Sequence, residues 1–454
     1  MSPFEKRAAA ALATIFSFRM LGLFMILPVF AIYADSLGEV TPMQIGLAIG
    51  IYGLTQAMLQ IPFGMASDRL GRKPVIVFGL LIFIAGSVVA AYAETIEMII
   101  AGRALQGAGA VAAAVMALLS DLTQEEHRTK AMATIGMSIG FAFVGAMVLG
   151  PILNGFIGVP GLFALTAVLG VLGIVILIWV VPNPKEVHFH HDTEAEPALF
   201  GSILRDGQLM RLNFGIFTLH MVLTASFIAI PFMLLNSGLA ANDHWMIYLP
   251  VLALAMVFII PFIIIAEKRH MMKQVFVGAI ALLVLVQALL AWNNIGLWTI
   301  GLLLFLFFSG FNLLEASLPS LVSKFAPVAS KGSAMGIYST SQFMGAFLGG
   351  VLGGAVYGEY GALGSFSFSS LALALWFIVA ISMQQPRYLR SQLIKVGAMD
   401  SEKAKGLEQL IQQVAGVEEV TVNGDDEVAY LKVDAQKFEP QQLDQIIQHN
   451  IGEK

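Results

Sequence analysis

The stretch GMASDRLGRK, residues 64–73, places two glycines, one acid and three bases directly after a long apolar run. Gly64 and Gly71 allow close helix approach and a tight turn. The charged members are Asp68, Arg69, Arg72 and Lys73. A second apolar run follows, so we predict a short turn at a membrane surface, with these charges where headgroups and water begin. The alternative is an ordinary basic loop that only sets the topology.

The composition of the whole chain agrees with a membrane environment. Of its 454 residues 57% are hydrophobic and 12% are charged, and the mean hydropathy is +0.80. An ordinary soluble protein is about 25% charged. This balance excludes a soluble enzyme, a disordered chain and a nucleic-acid binder, and it predicts the lipid bilayer as the main partner. The chain has no cysteine, which excludes disulfides, thiol nucleophiles and thiolate metal sites.

Twelve apolar runs are each long enough to cross a bilayer, which takes about 20 residues. The first continues to about residue 33, too long for the core of a cleavable signal peptide. The runs lie near 9–33, 43–66, 74–93, 98–120, 131–154, 160–181, 211–235, 244–266, 274–292, 296–321, 332–356 and 362–385. We therefore predict an all-α membrane protein with twelve transmembrane helices.

The distribution of basic residues predicts the orientation of these helices. The segments 1–8, 67–73, 121–130, 182–211, 267–273 and 322–331 contain 15 Lys and Arg, whereas the alternate loops contain none. Short basic loops stay on the cytoplasmic side. We therefore predict a multi-pass protein of a bacterial inner membrane with both termini cytoplasmic.

The chain divides into four predicted parts. A polar linker at 182–210 separates two six-helix halves, 1–181 and 211–386. Weak matches at an offset of 203 residues, such as Gly107 with Gly310, indicate that the halves are repeats. Two such halves are a known transporter plan, with a substrate site at their interface. Residues 387–454 carry 8 bases and 12 acids, and we predict that they form a separate cytoplasmic domain.

The tail at 387–454 has the pattern of a small α+β, ferredoxin-like domain. We predict strands at 389–396, 417–422 and 428–433, and a hairpin between the last two. A helix at 401–414 repeats apolar residues at Ala404, Leu407, Leu410, Ile411 and Val414. Pro440 begins a second helix with Leu443, Ile446 and Ile447 facing inward. The order β-α-β-β-α leaves almost no chain for a fourth strand.

Three patterns together resemble the major facilitator superfamily, over residues 1–386. The turn at 64–73 fills nearly every position of the family signature that lies between its second and third helices. Arg103, Gln106 and Gly107 match the Arg-x-x-Gln-Gly motif, which in proton-coupled members is linked to proton transfer. The fifth predicted helix partly matches the antiporter signature, at Ala146, Gly150, Pro151, Asn154 and Gly155. That signature prefers glycine where this chain has Ala146 and Asn154, and a glycine-rich packing seam is the alternative.

This resemblance implies a conformational latch at 64–73 and places the chain near the twelve-helix drug:proton antiporters. Asp68 is expected to face the N-terminus of the eleventh helix, near 331–333, because free N–H groups and the helix dipole favour an anion there. Arg72 is expected to pair with Asp121 at the end of the fourth helix. Both contacts should form in the outward-facing state and break on inward opening.

Two features of the polar segments are candidate metal sites. The tail resembles a heavy-metal-associated domain, but the two thiolate ligands of that domain correspond here to Asp400 and Lys403. Without sulfur a Cu(I) site of that type is lost, so we expect regulation, self-association or another ligand, with a stabilising appendage as the alternative. The His/Glu cluster at 188–196 has imidazole and carboxylate groups that could bind a divalent metal, but its polar, Pro-containing surroundings favour a solvated linker, and we predict no metal.

Ionisable residues inside predicted helices are candidates for function because charge in lipid is costly. They are Arg19, Arg103, Glu315 and the more weakly indicated His220. Arginine stays charged, so it can tune a proton carrier but cannot be one. Glu315 is the one carboxylate well inside a predicted helix and is the candidate carrier; a structural partner for packing between the halves is the alternative. Polar residues such as Gln56, Gln60 and Gln342 either line the cavity or join helices.

These observations predict a secondary transporter, proton-driven and exporting small amphipathic molecules. The proton is the coupling ion, and no other cofactor is expected. No Walker loop occurs in the chain, so ATP drive from this chain is not expected. The alternative is a membrane sensor with the tail as its output module. A membrane enzyme lacks support, because we find no convincing nucleophile triad, metal cluster or acid pair.

Overall fold

Apolar runs form helices in a membrane because a helix satisfies its backbone donors and acceptors internally. The computed structural model describes residues 1–35, 37–183, 197–292, 296–327, 330–386, 389–397, 399–424, 428–434 and 437–451. Within these residues, ten helical segments are long and apolar enough to cross a bilayer. The prediction of a helical membrane protein is therefore confirmed.

The described residues of the N-terminal half form seven helices. They are α1 (Pro3–Phe24), α2 (Leu27–Asp35), α3 (Pro42–Leu70), α4 (Arg72–Ala91), α5 (Ile96–Ala108), α6 (Ala112–Asp121) and α7 (Glu125–Trp179). Two predicted helices are broken in the structure, the first between α1 and α2 just before Pro28, and the fourth between α5 and α6 at Gly109. Proline lacks an N–H and clashes with the preceding turn, and glycine stabilises a helix interior poorly.

The C-terminal half begins inside the predicted linker, of which residues 184–196 lie outside the described part. Its helices are α8 (Phe200–Arg205), α9 (Gly207–Asn236), α10 (Trp245–Phe258), α11 (Ile260–Lys268), α12 (Met272–Leu290), α13 (Leu297–Phe325) and α14 (Lys331–Ile381). Pro261 in the first turn of α11 accounts for the break after α10.

Two helices are far longer than one crossing, and each is interrupted by a glycine with a positive φ angle. The apolar parts of α7 and α14 cover 50 and 51 residues. Gly158 at φ +67° and Gly361 at φ +61° break the helical geometry, and positive φ is a conformation that glycine adopts at little cost. The described residues thus give ten to twelve candidate crossings, depending on whether each of these helices counts once or twice.

The tail folds as a three-stranded antiparallel sheet with two helices. Its elements are β1 (Leu389–Lys395), α15 (Ser401–Gln412), β2 (Val417–Asn423), β3 (Val428–Asp434) and α16 (Pro440–Ile451), with sheet order β1-β3-β2. The predicted strands and helices are present. Ala404, Leu407, Ile411 and Val414 are buried as predicted, but Leu410 is 41% exposed, so its assignment to the inner face was wrong. Leu410 lies toward the edge of that helical face.

Contacts across the molecule define its two faces. Gln124 donates to Glu5 and Lys73 to the Val181 carbonyl, so the start of α1 shares one face with the α3–α4 and α6–α7 turns. We call it the terminal face, because the tail is on it too. Gln44 donates to Glu97 on the opposite face.

The described contacts between the two halves run along α3 and α14, from the opposite face to about ten residues from the start of α14. Gly46 of α3 packs directly on Gly350 of α14, and a Cβ on either glycine would overlap the carbonyl of the other. Asn154 of α7 donates to Asn242 in the turn before α10 at 3.1 Å. Deeper in the protein, Gln60 donates to Thr340 at 2.8 Å. Small residues let the two helix backbones approach this closely.

Candidate transport pathway

The charged turn at 64–73 is built on Gly71, whose φ of +92° ends α3 and begins α4. This turn aims Arg72 into the N-terminal half. Arg72 Nε donates to Asp121 Oδ2 at 3.0 Å, and both side chains are almost completely buried. Arg72 Nη1 donates to Ser67 Oγ at 3.0 Å and also bonds Asp68. The guanidinium fork therefore joins both ends of the turn to the end of α6, with charge-assisted hydrogen bonds.

The position of Asp68 differs from the sequence-based expectation. Its described partner is Arg72, one helical turn later, and its side chain is 31% exposed. The contact between Arg72 and Asp121 is present without a described contact between Asp68 and the start of α14. The predicted pairing of Arg72 with Asp121 is confirmed, whereas the coupled formation and loss of the two contacts stays a prediction. Arg72 has enough donors to hold both carboxylates from within one half.

The remaining members of the turn have different surroundings. Lys73 Nζ donates to the carbonyl of Val181 at 2.5 Å, which ties the turn to the end of α7. Gly64 faces Ala113 of α6, and a Cβ there would come within 3.2 Å of the Ala113 Cβ. Arg69 is exposed. The turn is thus a surface structure with one buried ionic centre, at Arg72.

A buried polar network occupies the middle of the N-terminal half. Arg19 is 1% exposed and Arg103 is fully buried. Arg19 Nη2 donates to the hydroxyl of Tyr52 at 3.1 Å and to Gln56 Oε1 at 3.2 Å. The Arg103 guanidinium lies 5.1 Å from the centre of the Tyr52 ring, a cation–π contact. The two arginines predicted separately therefore meet at one tyrosine.

The same network extends to α4. Arg103 Nη1 donates to Gln106 Oε1 at 2.9 Å, and Gln106 Nε2 donates to Ser87 Oγ at 2.8 Å. Among the residues that the structure describes, no carboxylate bonds Arg19 or Arg103, and Arg19 Nε and Nη1 have no hydrogen-bond partner there. This half therefore holds two buried positive charges. Neutral hydroxyl and amide groups and an aromatic ring stabilise them.

A second polar cluster lies in the C-terminal half and contains the one predicted intramembrane acid. Glu315 of α13 accepts from Gln342 Nε2 at 3.1 Å, and Gln342 Nε2 lies 2.9 Å from His220 Nε2. The Glu315 carboxylate lies 3.9 Å from His220 Nε2. Glu315 is 38% exposed at its side chain, whereas His220 is mostly buried. Sequence reasoning named Glu315 and His220, and the fold places Gln342 between them.

The residues of the antiporter-type pattern pack α7 against both halves. Ala146 is fully buried, and a Cβ on Gly150 would overlap the carbonyl of Met25 at the end of α1. Pro151 lies inside the helix one turn before Gly155, beside which Asn242 packs. Together with the bond from Asn154 to Asn242, these contacts place the pattern at the junction with the C-terminal half.

Sequence reasoning missed Tyr52, Ser87 and the role of Gln342. Tyr52 was read as part of an apolar run, and only its fold neighbours show that it is shared by two arginines. Gln56 and Gln60, expected either in the cavity or between helices, both make side-chain bonds within or between the halves. The described residues contain no group of three metal-ligating side chains, and the predicted linker cluster at 188–196 lies outside them.

Two bundles of long helices in contact along α3 and α14, each with its own buried polar cluster, form the architecture of a membrane transporter. The model of the Major Facilitator Superfamily matches residues 12–350, and the chain belongs to this family. It is 46% identical over 448 residues to "Inner membrane transport protein YajR" of Escherichia coli (strain K12), covering 98% of each chain. The tail is thus shared with that relative.

More distant proteins share the helical part. The chain is 26% identical over 392 residues to "Quinolone resistance protein NorA" of Staphylococcus aureus, which covers 82% of this chain and 95% of that one. A solved bacterial homologue of the human lysosomal transporter Spinster, described as inward-facing and occupied, superposes with a TM-score of 0.68 at 14% identity. It covers 84% of this chain and 97% of its own. This likeness is one of fold.

Proposed function

We propose that this transporter is a proton-coupled antiporter that exports small amphipathic compounds. Its relatives favour a transporter over a membrane sensor. The relative that is a quinolone resistance protein supports export of small organic molecules. The observation that carries the proposal is the Glu315–Gln342–His220 cluster, which brings a carboxylate and an imidazole together inside the helical bundle.

The cluster has the parts that a proton carrier needs. A carrier must titrate and must be reachable from water in at least one conformation. Glu315 can titrate, and a third of its side chain is exposed although it lies well inside α13. Its Oε2 is buried and has no hydrogen-bond partner among the described residues. Protonation at this oxygen therefore breaks no described hydrogen bond.

Gln342 couples the two titratable groups to one another. Its amide nitrogen donates to Glu315 and lies 2.9 Å from His220 Nε2, an arrangement that suits the tautomer in which this imidazole nitrogen accepts. If His220 became protonated at Nε2, two donors would face each other. Gln342 would then have to turn its amide and lose its bond to Glu315. Proton uptake and the position of Gln342 are therefore linked.

The position of Gln342 on α14 gives this link a route to the other half. Thr340, two residues earlier on the same helix, accepts from Gln60 of α3. The halves touch along these two helices, so a change at Gln342 acts on the helix that both halves share. The tightest described contact between the halves, Gly46 with Gly350, lies near the opposite face, and we propose that this face is closed and that the terminal face opens to the cytoplasm.

The proposed topology follows from helix length. An α-helix of 50 residues is about 75 Å long, which is more than twice the thickness of the hydrocarbon core. We therefore propose that α7 and α14 each cross twice, which gives twelve crossings. With the basic segments on the terminal face, both termini lie in the cytoplasm of a bacterial cell and the tail is a cytoplasmic, ferredoxin-like domain.

The test is pH-gradient-driven transport by purified protein in liposomes. Fluorescent amphipathic dyes, with ethidium as the first probe, are followed under an imposed gradient. Glu315→Gln keeps the shape of the side chain and removes its titration, and we expect gradient-driven flux to fall at least tenfold. Glu94→Gln, in an exposed turn on the opposite face, is the matched control. Full flux in Glu315→Gln at normal expression excludes Glu315 as the carrier.

A further inference from the structure

The outer face of the tail sheet is covered, although both tail helices lie on the other face. In β3, alternate residues Ala429, Leu431 and Val433 belong to the core of the tail domain. The period of two in a strand places Lys432 on the other side of the sheet, where an isolated domain would expose it to water. Lys432 is nevertheless only 5% exposed. Another part of the chain must therefore cover this face.

The end of α13 covers Lys432. Its ammonium donates to the carbonyl of Ala326 at 2.6 Å and to the carbonyl of Lys324 at 3.3 Å. Ala326 is the residue that caps α13, so these carbonyls belong to the helix end that lacks internal partners. A cation at this position also interacts favourably with the negative end of the helix dipole. Lys432 is thus a C-terminal cap supplied by a different domain.

The end of α13 that Lys432 caps is also joined to a second helix of the C-terminal half. Lys324, in the last turn of α13, bonds Glu267 at the end of α11 at 2.9 Å. On the tail side, Glu419 of β2 pairs with Lys432 at 3.2 Å. The tail is therefore joined to the end of α13 through the buried ammonium of Lys432, and the ammonium of Lys324 links that helix end to the end of α11.

We infer that the docked tail is a brake that holds the terminal face open. The helix that follows the docked turn is α14, which begins at Lys331, and closure of the terminal face has to bring the α3–α4 turn toward this helix start. A folded domain of about 65 residues has a radius of gyration near 11 Å. Seated on 324–326, a body of this size is expected to obstruct the approach to that helix start. Asp68 correspondingly bonds Arg72 in its own half in this conformation.

Release of the tail and closure of the terminal face are therefore coupled. A charge-assisted hydrogen bond of this kind supports roughly a tenfold shift in population. Loss of the Lys432 contact should lower the docked fraction by about that factor and raise the population with a closed terminal face. This coupling rests on the alternating-access part of the proposed function and not on proton coupling or on the substrate.

The experiment measures distances between spin labels in the full chain in nanodiscs. The chain has no cysteine, so each engineered pair is the only label pair present. Labels at Arg269→Cys and Gln409→Cys report tail docking, and labels at Lys130→Cys and Arg269→Cys report the width of the terminal face; all three positions are exposed. We expect Lys432→Met to broaden the first distribution and to shift the second toward shorter distances.

Two variants separate docking from the folding of the tail. Glu419→Gln removes the ion pair within the tail but leaves the bonds to the α13 carbonyls, so it should keep the docked distance. Lys437→Met removes an exposed lysine of the same domain and should have no effect. Equal loss of docking in Glu419→Gln and Lys432→Met would overturn the inference, because Lys432 would then act only within the tail.

A second measurement does not depend on any change to Lys432. A photo-crosslinking amino acid at the exposed Pro327 should capture a peptide of β2 or β3 in otherwise unchanged protein. No tail peptide in the product, or docking lost in Lys432→Met with an unchanged width of the terminal face, would each overturn the brake. Label distances and crosslinks can be measured whether or not this protein carries out proton-driven transport. Failure of the brake can therefore be distinguished from failure of the proposed function.

Discussion

Replacement of Gly350 by alanine should open the face at which the halves now touch. A Cβ at Gly350 would overlap the backbone carbonyl of Gly46, and the second helix has no flexible side chain there that could yield. An ordinary van der Waals contact of about 3.5 Å requires α3 and α14 to separate by roughly 1 Å. The two halves must therefore move apart, since the obstacle is backbone on both sides.

The expected size of the effect follows from the cost of overpacking. Extra methylenes in a tight contact destabilise it by about 1–3 kcal/mol, which corresponds to about a 5- to 150-fold change in population. Alanine also favours a helix over glycine by about 1 kcal/mol. That gain applies equally to both conformations, so it cancels in the ratio between them.

The assay is a distance measurement between labels at Glu94→Cys and Ala240→Cys, both exposed on the opposite face. Gly350→Ala should add a population with a longer distance between the two labels. Transport should also fall, because a conformation closed at the opposite face is part of the transport cycle. Gly278→Ala is the matched control, since nothing lies within 4 Å of a Cβ at that helical glycine. An unchanged distance distribution in Gly350→Ala would refute the reasoning that this contact keeps the face closed.

Three further changes test other parts of the structure. Arg72→Lys should lower the free energy of unfolding by about 3 kcal/mol, because one ammonium cannot replace the guanidinium fork that holds buried Asp121. Thermal melts measure this loss, and the double variant Arg72→Met/Asp121→Asn, which removes both charges, is the control. Arg19→Met should raise stability by about 1–3 kcal/mol through removal of unsatisfied buried donors, while abolishing flux; reduced thermal stability would contradict it. Ile411→Ala should cost about 2–5 kcal/mol in the tail, seen as faster hydrogen exchange in β2, whereas Leu410→Ala should change little.

Much of the fold could be predicted from composition and periodicity, for a physical reason. Lipid leaves a helix as the economical way to satisfy the backbone, so an apolar run of sufficient length already specifies a crossing. The breaks between α1 and α2 and between α10 and α11 could not be predicted from composition and periodicity. Pro28 and Pro261 each lie inside or beside a run that remains apolar, and whether a proline ends a helix or only bends it depends on the groups that satisfy the freed carbonyls.

The site residues divide along the same line. Glu315 and Arg19 stand out in the sequence because ionisable groups are rare in such runs, and the turn at 64–73 stands out through its glycines and charges. The partners of these residues come from helices that are distant in the chain, so spacing along the sequence carries no information about them. Gln342 lies 27 residues from Glu315 and 122 from His220, and only packing brings the three together.

By itself the sequence determined the solvent of this protein, the approximate ends of its helices and the existence of a separate charged tail. These follow from local composition, which the chain carries whatever its partners are. The tertiary structure alone decided that Asp68 turns to Arg72, that Tyr52 is shared by two arginines and that Lys432 caps α13 from another domain. Each of these contacts joins residues whose distance depends on how all the helices pack. Neither a single side chain nor one apolar run specifies that packing.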